Sequence, residues 1–221
     1  ETLIPKFIRP GKPIRWQGKY YNSKNENFEL SYIKILREYL FSSYFKSVDF
    51  LYEFGAGTGF NLLHASRRLT STAFIGTDFV PSAVDLINEV GKQKKIDLKG
   101  YQFNMLFPKL NNLRLQKNAA VWTFGSLEQL GGNVSAFFDY IIENKPTICV
   151  HIEPDLDFYQ NDTLEDDLAK WFQSQRGYST GIKSKLQSYQ DKGQIQIVEA
   201  RRLYFGSMMM EGYNLIAWRT M

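Results

Sequence analysis

An acidic residue followed by three alternating glycines is the segment of this 221-residue chain best suited to chemistry. It reads Glu53-Phe54-Gly55-Ala56-Gly57-Thr58-Gly59, and it lies between the apolar run 50–52 and a stretch with helical apolar spacing. Glycines let the backbone turn sharply beside a ligand without a Cβ clash, and the free N–H groups of a helix start point into the same space. The segment predicts a strand, a turn and a helix that hold a nucleotide-like cofactor.

Spacing and charge narrow the choice of cofactor. The dinucleotide fingerprint G-x-G-x-x-G requires its third glycine where this chain has Phe60. The carboxylate of Glu53 would repel a pyrophosphate, but it can accept hydrogen bonds from a cationic amino-acid group. A tight strand-to-helix turn without a ligand is the alternative, because glycine turns are common in α/β folds.

An acid followed by G-x-G-x-G resembles motif I of the class I S-adenosylmethionine-dependent methyltransferases. The resemblance implies an enzyme that binds S-adenosylmethionine through Glu53, Gly55, Ala56, Gly57 and Gly59. It also implies a Rossmann-like α/β fold, in which a seven-stranded, mostly parallel sheet has an antiparallel C-terminal edge strand and helices on both faces.

A second acid, Asp78, ends the next predicted strand, nineteen residues after Gly59. A carboxylate at this spacing can accept both ribose hydroxyls, so we assign Asp78 and the adjacent Phe79 to the cofactor site. The alternative is that Asp78 caps the helix that begins near Pro81.

Two further strand ends extend the expected cofactor site. The resemblance implies that the side chain of Asn104 meets the adenine amine and that the N–H of Met105 reaches the ring. Asparagine at a strand end is also ordinary turn chemistry. The fourth strand, 119–124, is expected beside the first. The resemblance implies that the end of this strand, with Thr123, faces the methionine end of the cofactor.

Polar residues on and after the fourth and fifth strands are the catalytic candidates. His151 and Glu153 share one face of the fifth strand, and we predict His151 as the base that removes a hydroxyl proton. Glu153 would fix the His151 tautomer or bind a hydroxyl, and Glu128 is the second choice of base. Gln129 can only orient a substrate. The alternatives are a hydrogen-bonded core histidine and a solvent-facing Glu128.

The acidic residues that continue beyond His151 and Glu153 raise the question of a metal. Asp155 and Asp157 extend the alternation, and oxygen ligands suit magnesium. The spacing identifies no metal loop, so we predict a solvated acidic run and assign no metal ligands, with a divalent ion at these residues as the alternative.

The amino-terminal segment, 1–27, is aromatic and basic without a helical period, and we separate it as a lid or strap from a single domain over 28–221. In the resembling family such segments often fold over the cofactor. Arg15 is expected to meet a phosphate, and Tyr20 or Tyr21 to stack on a base or sugar. A surface strap packed by its aromatics is the alternative.

Composition supports one domain and disfavours several functions. Apolar residues make up 43% of the chain, enough for one sizeable core. The net charge is only +4, without a dense basic cluster, so nucleic acid is not favoured. No apolar stretch predicts a membrane span. The single cysteine, Cys149, cannot form an internal disulfide and fits a reducing cytoplasm. Oligomeric state stays open, with a homodimer as one alternative.

Apolar periodicity predicts the elements that position these residues. Helices are expected over 28–42, 59–69, 82–94, 133–144 and 164–175. Two final strands, 194–203 and 213–219, are expected to be joined by a connection over 206–212 that contains three methionines.

Three segments bear on the acceptor: FGSLEQLGG, HIEP and RLYFGSMMMEGYNLIAW. They look like a bacterial methyltransferase subgroup associated with surface-polysaccharide gene clusters. The resemblance implies a small-molecule acceptor, a nucleotide-linked sugar or polysaccharide precursor, methylated on oxygen by in-line SN2 transfer. Methylation of an amine or protein side chain, an NAD-dependent oxidoreductase and a non-catalytic binding domain are the alternatives.

Overall fold

A seven-stranded sheet forms the centre of the computed structural model, which describes residues 3–159 and 163–221. The strands in chain order are β1 Ile14–Trp16, β2 Lys19–Tyr21, β3 Phe50–Phe54, β4 Ala73–Asp78, β5 Leu98–Gln102, β6 Ala119–Phe124, β7 Ile148–Glu153, β8 Ile195–Arg201, β9 Phe205–Ser207 and β10 Asn214–Thr220. The spatial order of the large sheet is β5-β4-β3-β6-β7-β10-β8. β3 to β7 pair in parallel, whereas β10 runs antiparallel to both its neighbours.

The strand order reverses at the centre of this sheet. β3 pairs with β4 on one side and with β6 on the other, so the chain leaves the middle first in one direction and then in the opposite one. In open α/β sheets, ligands bind at the carboxyl ends of the strands beside such a reversal. Glu53, Phe124 and Glu153 lie at those ends, where the sequence places the candidate site.

Six α-helices within the described residues flank the sheet. They are α1 Phe28–Leu40, α2 Phe60–Ala65, α3 Pro81–Lys94, α4 Ser135–Asn144, α5 Leu164–Gln175 and α6 Ile182–Asp191. Buried side chains divide into two hydrophobic clusters, one that includes Ile33 and Leu40 of α1 and one that includes Phe137 and Ile141 of α4. All five predicted helices form. None of the helices in the described chain is long and apolar enough to span a bilayer.

The helix α6 was not predicted because its signals are weak or distant. Only Ile182, Leu186 and Tyr189 are buried in an otherwise polar segment. Asp155, which follows β7, accepts hydrogen bonds from the backbone N–H groups of Gly181 (3.1 Å) and Lys183 (2.8 Å) at the helix start. Asp155 is therefore fully buried, which corrects the expectation of a solvated acidic run.

A second, small sheet joins the two ends of the chain. Its order is β2-β1-β9, and β1 pairs antiparallel with both neighbours. β9 overlaps the segment 206–212, which was predicted as a simple connection. Gly206 is required there, because a Cβ at this position would overlap the carbonyl oxygen of Met210. The amino-terminal segment thereby packs against the residues that precede β10.

We expect Gly91→Ala to lower the free energy of unfolding by about 1–3 kcal/mol, since a Cβ there would overlap the carbonyl oxygen of Leu98 in β5. Alanine inside a helix otherwise gains up to about 1 kcal/mol over glycine, so a loss identifies the close approach of α3 to the sheet. Urea denaturation measures the change. Gly132→Ala is the control, because its Cβ meets nothing within 4 Å; equal stability of the two variants would contradict this account.

Candidate functional site

A cavity of about 380 Å³ lies at the carboxyl ends of β3 and β6. The glycine loop, α1, the turn after β6, the amino-terminal segment and the connection from β9 to β10 all contribute to its wall. Its lining includes Pro5, Phe7, Ile8, Glu29, Ile33, Glu53, Gly55, Ala56, Gly57, Thr58, Phe60, Asn61, Asp78, Phe124, Gly125, Glu128, Gln129, Pro154, Tyr178, Ser207, Met210, Gly212 and Tyr213. The cavity thus brings together residues from nearly the whole length of the chain.

The glycine loop requires its glycines for two different reasons. Gly55 and Gly57 have φ angles of +71° and +55°, which side chains rarely adopt, and a Cβ at Gly55 would overlap Ser126. Gly59, at φ +73°, begins α2 and lies against Ile87 outside the cavity lining. The loop backbone at 55–57 therefore forms the floor on which a ligand can rest.

Asp78 faces the cavity and also organises the loop. Its Oδ2 accepts a hydrogen bond from Gly57 N at 3.0 Å, and its Oδ1 accepts one from Val80 N at 3.0 Å. The second contact lies in the turn before α3. Asp78 therefore faces the cavity and also accepts a hydrogen bond next to the start of α3, which is close to the capping role of the alternative interpretation. Phe79 is 64% exposed and lies outside the residues that line the cavity.

Glu53 is a buried acid at the other side of the loop. Its Oε1 accepts a hydrogen bond from Asn61 Nδ2 at 2.7 Å, and Arg37 Nη1 in turn donates to Asn61 Oδ1 at 3.1 Å. Burial raises the pKa of Glu53 to about 8, and nearby Asp78 adds to the rise. Oε2 of Glu53 has no hydrogen-bond partner among the described residues. Sequence reasoning missed Asn61 and Arg37, since neither is marked by local spacing.

Glu128 and Gln129 lie in the cavity wall, whereas Glu153 lies behind it. Glu153 accepts hydrogen bonds from the backbone N–H groups of Ser126 (3.0 Å) and Leu127 (3.1 Å), which fixes the turn that carries Glu128. Burial and the adjacent Glu153 raise the pKa of Glu128 well above its usual range. Oε2 of Glu128 has no hydrogen-bond partner among the described residues. Glu128 is 7% exposed and not the solvent-facing residue of the alternative.

His151 occupies the hydrophobic core and does not line the cavity. Trp218 Nε1 donates to His151 Nε2 at 2.8 Å, and Nδ1 lies 2.9 Å from Thr123 Oγ1. An indole N–H can only donate, so Nε2 accepts and the proton resides on Nδ1. Burial lowers the pKa of His151 to about 3. His151 is therefore a hydrogen-bonded core residue, as in the alternative interpretation, and is not placed to act as the expected base. Thr123 is also buried, contacts His151 and does not line the cavity.

Asn104 and Met105 also lie outside the residues that line the cavity. Asn104 Oδ1 accepts a hydrogen bond from Leu106 N at 2.9 Å, and Asn104 N donates to Asn111 Oδ1 at 3.2 Å. These contacts are the turn chemistry of the alternative interpretation. The adenine contacts of Asn104 and Met105 stay predictions.

Arg15 is fully buried and bound to carboxylates, which corrects the expectation that it meets a phosphate. It forms ion pairs with Asp166 and with Glu211, and Arg202 pairs with the same two acids at 2.8 and 2.6 Å. The four charges join β1 to α5 and to the segment before β10.

Tyr20 and Tyr21 line a separate surface groove with Trp171 and Met208, away from the cavity. They are 40% and 46% exposed, and they lie outside the cavity lining, so their predicted stacking on a base or sugar would have to take place in this groove. The amino-terminal segment reaches the cavity earlier, through Phe7 and Ile8.

Further polar residues at the cavity were not found from sequence. Tyr213 donates a hydrogen bond to Glu29 Oε1 at 2.6 Å, although the two residues are 184 positions apart. Burial raises the pKa of Glu29. Tyr178 completes this side of the wall. Across the described ranges, no group of three or more His, Cys, Asp or Glu side chains is arranged to hold a metal ion.

Comparison with known proteins gives similarity in structure only. No family model and no curated protein matches the chain. A geranyl diphosphate methyltransferase solved in complex with SAM has a TM-score of 0.64 and 13% identity, with 100% of both chains covered. Magnesium protoporphyrin IX methyltransferase from Synechocystis PCC 6803, solved with SAH, has a TM-score of 0.65 and 8% identity over 89% of this chain and 85% of that one.

A third similar structure is the mitomycin 7-O-methyltransferase, with a TM-score of 0.62 and 9% identity over 86% of this chain and 55% of that one. At sequence identities this low, the structural similarity shows a shared fold alone. The chain has the Rossmann-like fold of these methyltransferases, which confirms the predicted fold class, including the antiparallel edge of the sheet.

Proposed function

We propose that this chain is an S-adenosylmethionine-dependent methyltransferase. The observation that carries the proposal is the position of two carboxyl groups, Glu53 and Asp78, beside the glycine loop in a methyltransferase fold. The free Oε2 of the buried Glu53 fits the cationic amino group of the cofactor, and Asp78 fits its ribose hydroxyls. When bound, the cofactor supplies an electrophilic methyl group on a sulfonium.

The same residues argue against a dinucleotide. A pyrophosphate at the loop would meet the carboxyl group of Glu53, and Phe60 takes the place of the third glycine. The neighbours with this fold include proteins solved with SAM or SAH bound, which supports the assignment.

For the acceptor, we propose a sugar hydroxyl. Around the rest of the cavity, Glu29, Glu128, Gln129 and Tyr213 offer acceptors and donors that suit hydroxyl groups. Lys, Arg and His are absent from the described lining residues, so a sugar without a phosphate in the cavity is favoured over one whose diphosphate enters it. Glu128 contacts the reacting hydroxyl and receives its proton as the methyl group is transferred.

The test of this proposal has two stages. Calorimetry should detect binding of S-adenosylmethionine and not of NAD; the reverse result would refute the methyltransferase assignment. A labelled-methyl assay against free and nucleotide-linked sugars then tests the acceptor. Absence of labelled product across that panel would refute the sugar proposal while the cofactor assignment stands.

Cofactor affinity should rise between about pH 6 and 8. Glu53, whose pKa is raised to about 8, is protonated in the free protein below that pH, and the cofactor ammonium favours its ionised form. Binding therefore releases a proton, and the penalty for releasing it falls as pH rises. Calorimetry in two buffers of different ionisation enthalpy measures this release, and Glu53→Gln should abolish it. Unchanged proton release in Glu53→Gln would contradict the assignment.

A further inference from the structure

We propose that the acceptor is an amino sugar, with its ammonium group bound by Glu29 and an adjacent hydroxyl group at Glu128. Glu29 belongs to α1, and Glu128 lies in the turn after β6, so two separate elements bring these acids to one cavity. The inference rests on the proposed function, because it specifies the class of sugar that enters the cavity.

The charge of the cavity wall has one sign. Its described lining contains four acids and no lysine, arginine or histidine; the acids are Glu29, Glu53, Asp78 and Glu128. The proposed cofactor contacts account for two of them, since its amino group fits Glu53 and its ribose fits Asp78. Glu29 and Glu128 remain for the acceptor.

Acids that are buried away from the cavity have cations or donors beside them. Asp166 and Glu211 each form ion pairs with two arginines. Asp155 and Glu153 each accept hydrogen bonds from two backbone N–H groups. This is the usual arrangement, because a buried ionised group without partners is costly.

Glu128 departs from this pattern. It lines the cavity and is 7% exposed, yet its Oε2 has no hydrogen-bond partner in the part of the chain that the structure describes. A buried polar atom left without a partner costs free energy. The missing donor is therefore expected from a bound molecule, and a hydroxyl group of the acceptor can supply it.

Glu29 is held in position by one neutral donor. Tyr213 donates to Glu29 Oε1 at 2.6 Å, and the Tyr213 ring packs against Phe124 and Phe205 at centroid distances of 5.7 and 5.8 Å. Burial raises the pKa of Glu29, and the hydrogen bond from Tyr213 opposes that rise. A cation beside Glu29 would favour its ionised form further.

An ammonium group satisfies Glu29 better than a hydroxyl group does. It brings three donors and the opposite charge, whereas a hydroxyl group leaves a buried carboxylate uncompensated. Aromatic rings in the same wall, those of Phe124 and Tyr178, also suit a cation. The combination of acids and aromatic rings therefore favours a cationic acceptor over a neutral one.

Binding as an ammonium directs the methyl group to oxygen. A protonated nitrogen has no lone pair, so the adjacent hydroxyl oxygen is the nucleophile. This oxygen forms the new bond to the methyl carbon, the carbon–sulfur bond breaks with its electron pair left on sulfur, and the hydroxyl proton passes to Glu128. The ammonium charge favours ionised Glu128, which is the form that can accept this proton.

Calorimetry with the protein saturated with S-adenosylhomocysteine tests this binding without turnover. The probes are methyl glycosides of amino hexoses that differ in the carbon bearing the amine, each compared with its parent hexose, in which a hydroxyl group replaces the amine. At least one amine should bind about 30-fold or more tightly than its parent, as expected for a buried charge pair.

Glu29→Gln should abolish this preference for the amine, because it removes the charge and keeps an acceptor oxygen for Tyr213. Glu26→Gln is the matched control, since Glu26 is an exposed acid just before α1 and should leave the preference unchanged. Binding of S-adenosylhomocysteine shows that each variant is folded. In a labelled-methyl assay with the wild type, the label should be on oxygen, as located by mass spectrometry.

Three results would overturn the amino-sugar inference: equal binding of every amine and its parent hexose, a preference retained in Glu29→Gln, or label on nitrogen. Methylation of the parent hexoses alone would also overturn it, while the sugar proposal would stand. If no sugar of the panel is methylated, the sugar acceptor itself is refuted. Failure of the wild type to bind S-adenosylhomocysteine would instead refute the methyltransferase assignment.

Discussion

Asp78→Ala should weaken S-adenosylmethionine binding at least about 100-fold, as measured by calorimetry. Asp78 supplies the acceptors proposed for the ribose, and its two oxygens also hold Gly57 N and Val80 N at 3.0 Å. Hydrogen bonds to a charged group contribute about 1.5–3 kcal/mol each, so loss of two costs about 3 kcal/mol or more. Each 1.4 kcal/mol corresponds to about tenfold in affinity.

Two further variants serve as controls for Asp78→Ala. Asp85→Ala alters an exposed acid on α3 and should leave the affinity unchanged. Asp78→Asn keeps one acceptor oxygen and should fall between Asp78→Ala and the wild type. Wild-type affinity in Asp78→Ala would show that the cofactor does not rest on this carboxylate.

Arg15→Gln should lower the free energy of unfolding by about 3–5 kcal/mol, because it leaves two buried acids with a single arginine. Asp166 and Glu211 are 1% and 0% exposed and share Arg15 with Arg202. Urea denaturation followed by circular dichroism measures the change.

Arg201→Gln is the control for Arg15→Gln. Arg201 forms an ion pair with Glu199, but its side chain is 57% exposed, and exposed pairs contribute about 0–1 kcal/mol. A loss in Arg15→Gln no larger than that in Arg201→Gln would show that the buried charges are compensated in another way.

Features with local signals could be predicted from the sequence. The acid-glycine segment and Asp78 are each defined by spacing within about 25 residues, and the structure places Glu53, Gly55 and Asp78 around one cavity. The acid-glycine segment also carried the resemblance that implied the correct fold class. Apolar periodicity predicted the positions of the helices, because each helix buries a regular pattern of apolar residues.

Features that depend on distant partners could not be predicted. His151 has the same side chain whether it acts as a base or fills the core, and only its contacts with Trp218 and Thr123 decide. Arg15 was expected to meet a phosphate because Asp166, 151 positions away, is not visible as its partner. In both cases the role of the side chain is determined by hydrogen-bond or ion-pair partners that are distant in sequence.

The pairing of β1 with β9 makes the cavity a late product of folding. Ile14 lies opposite Ser207, roughly 190 residues further along the chain. Contacts of such separation require closure of a very long loop, and they form after the local ones. Phe7 and Ile8 on one side and Ser207 and Met210 on the other can therefore enclose a ligand only after the chain has left the ribosome as far as Met210.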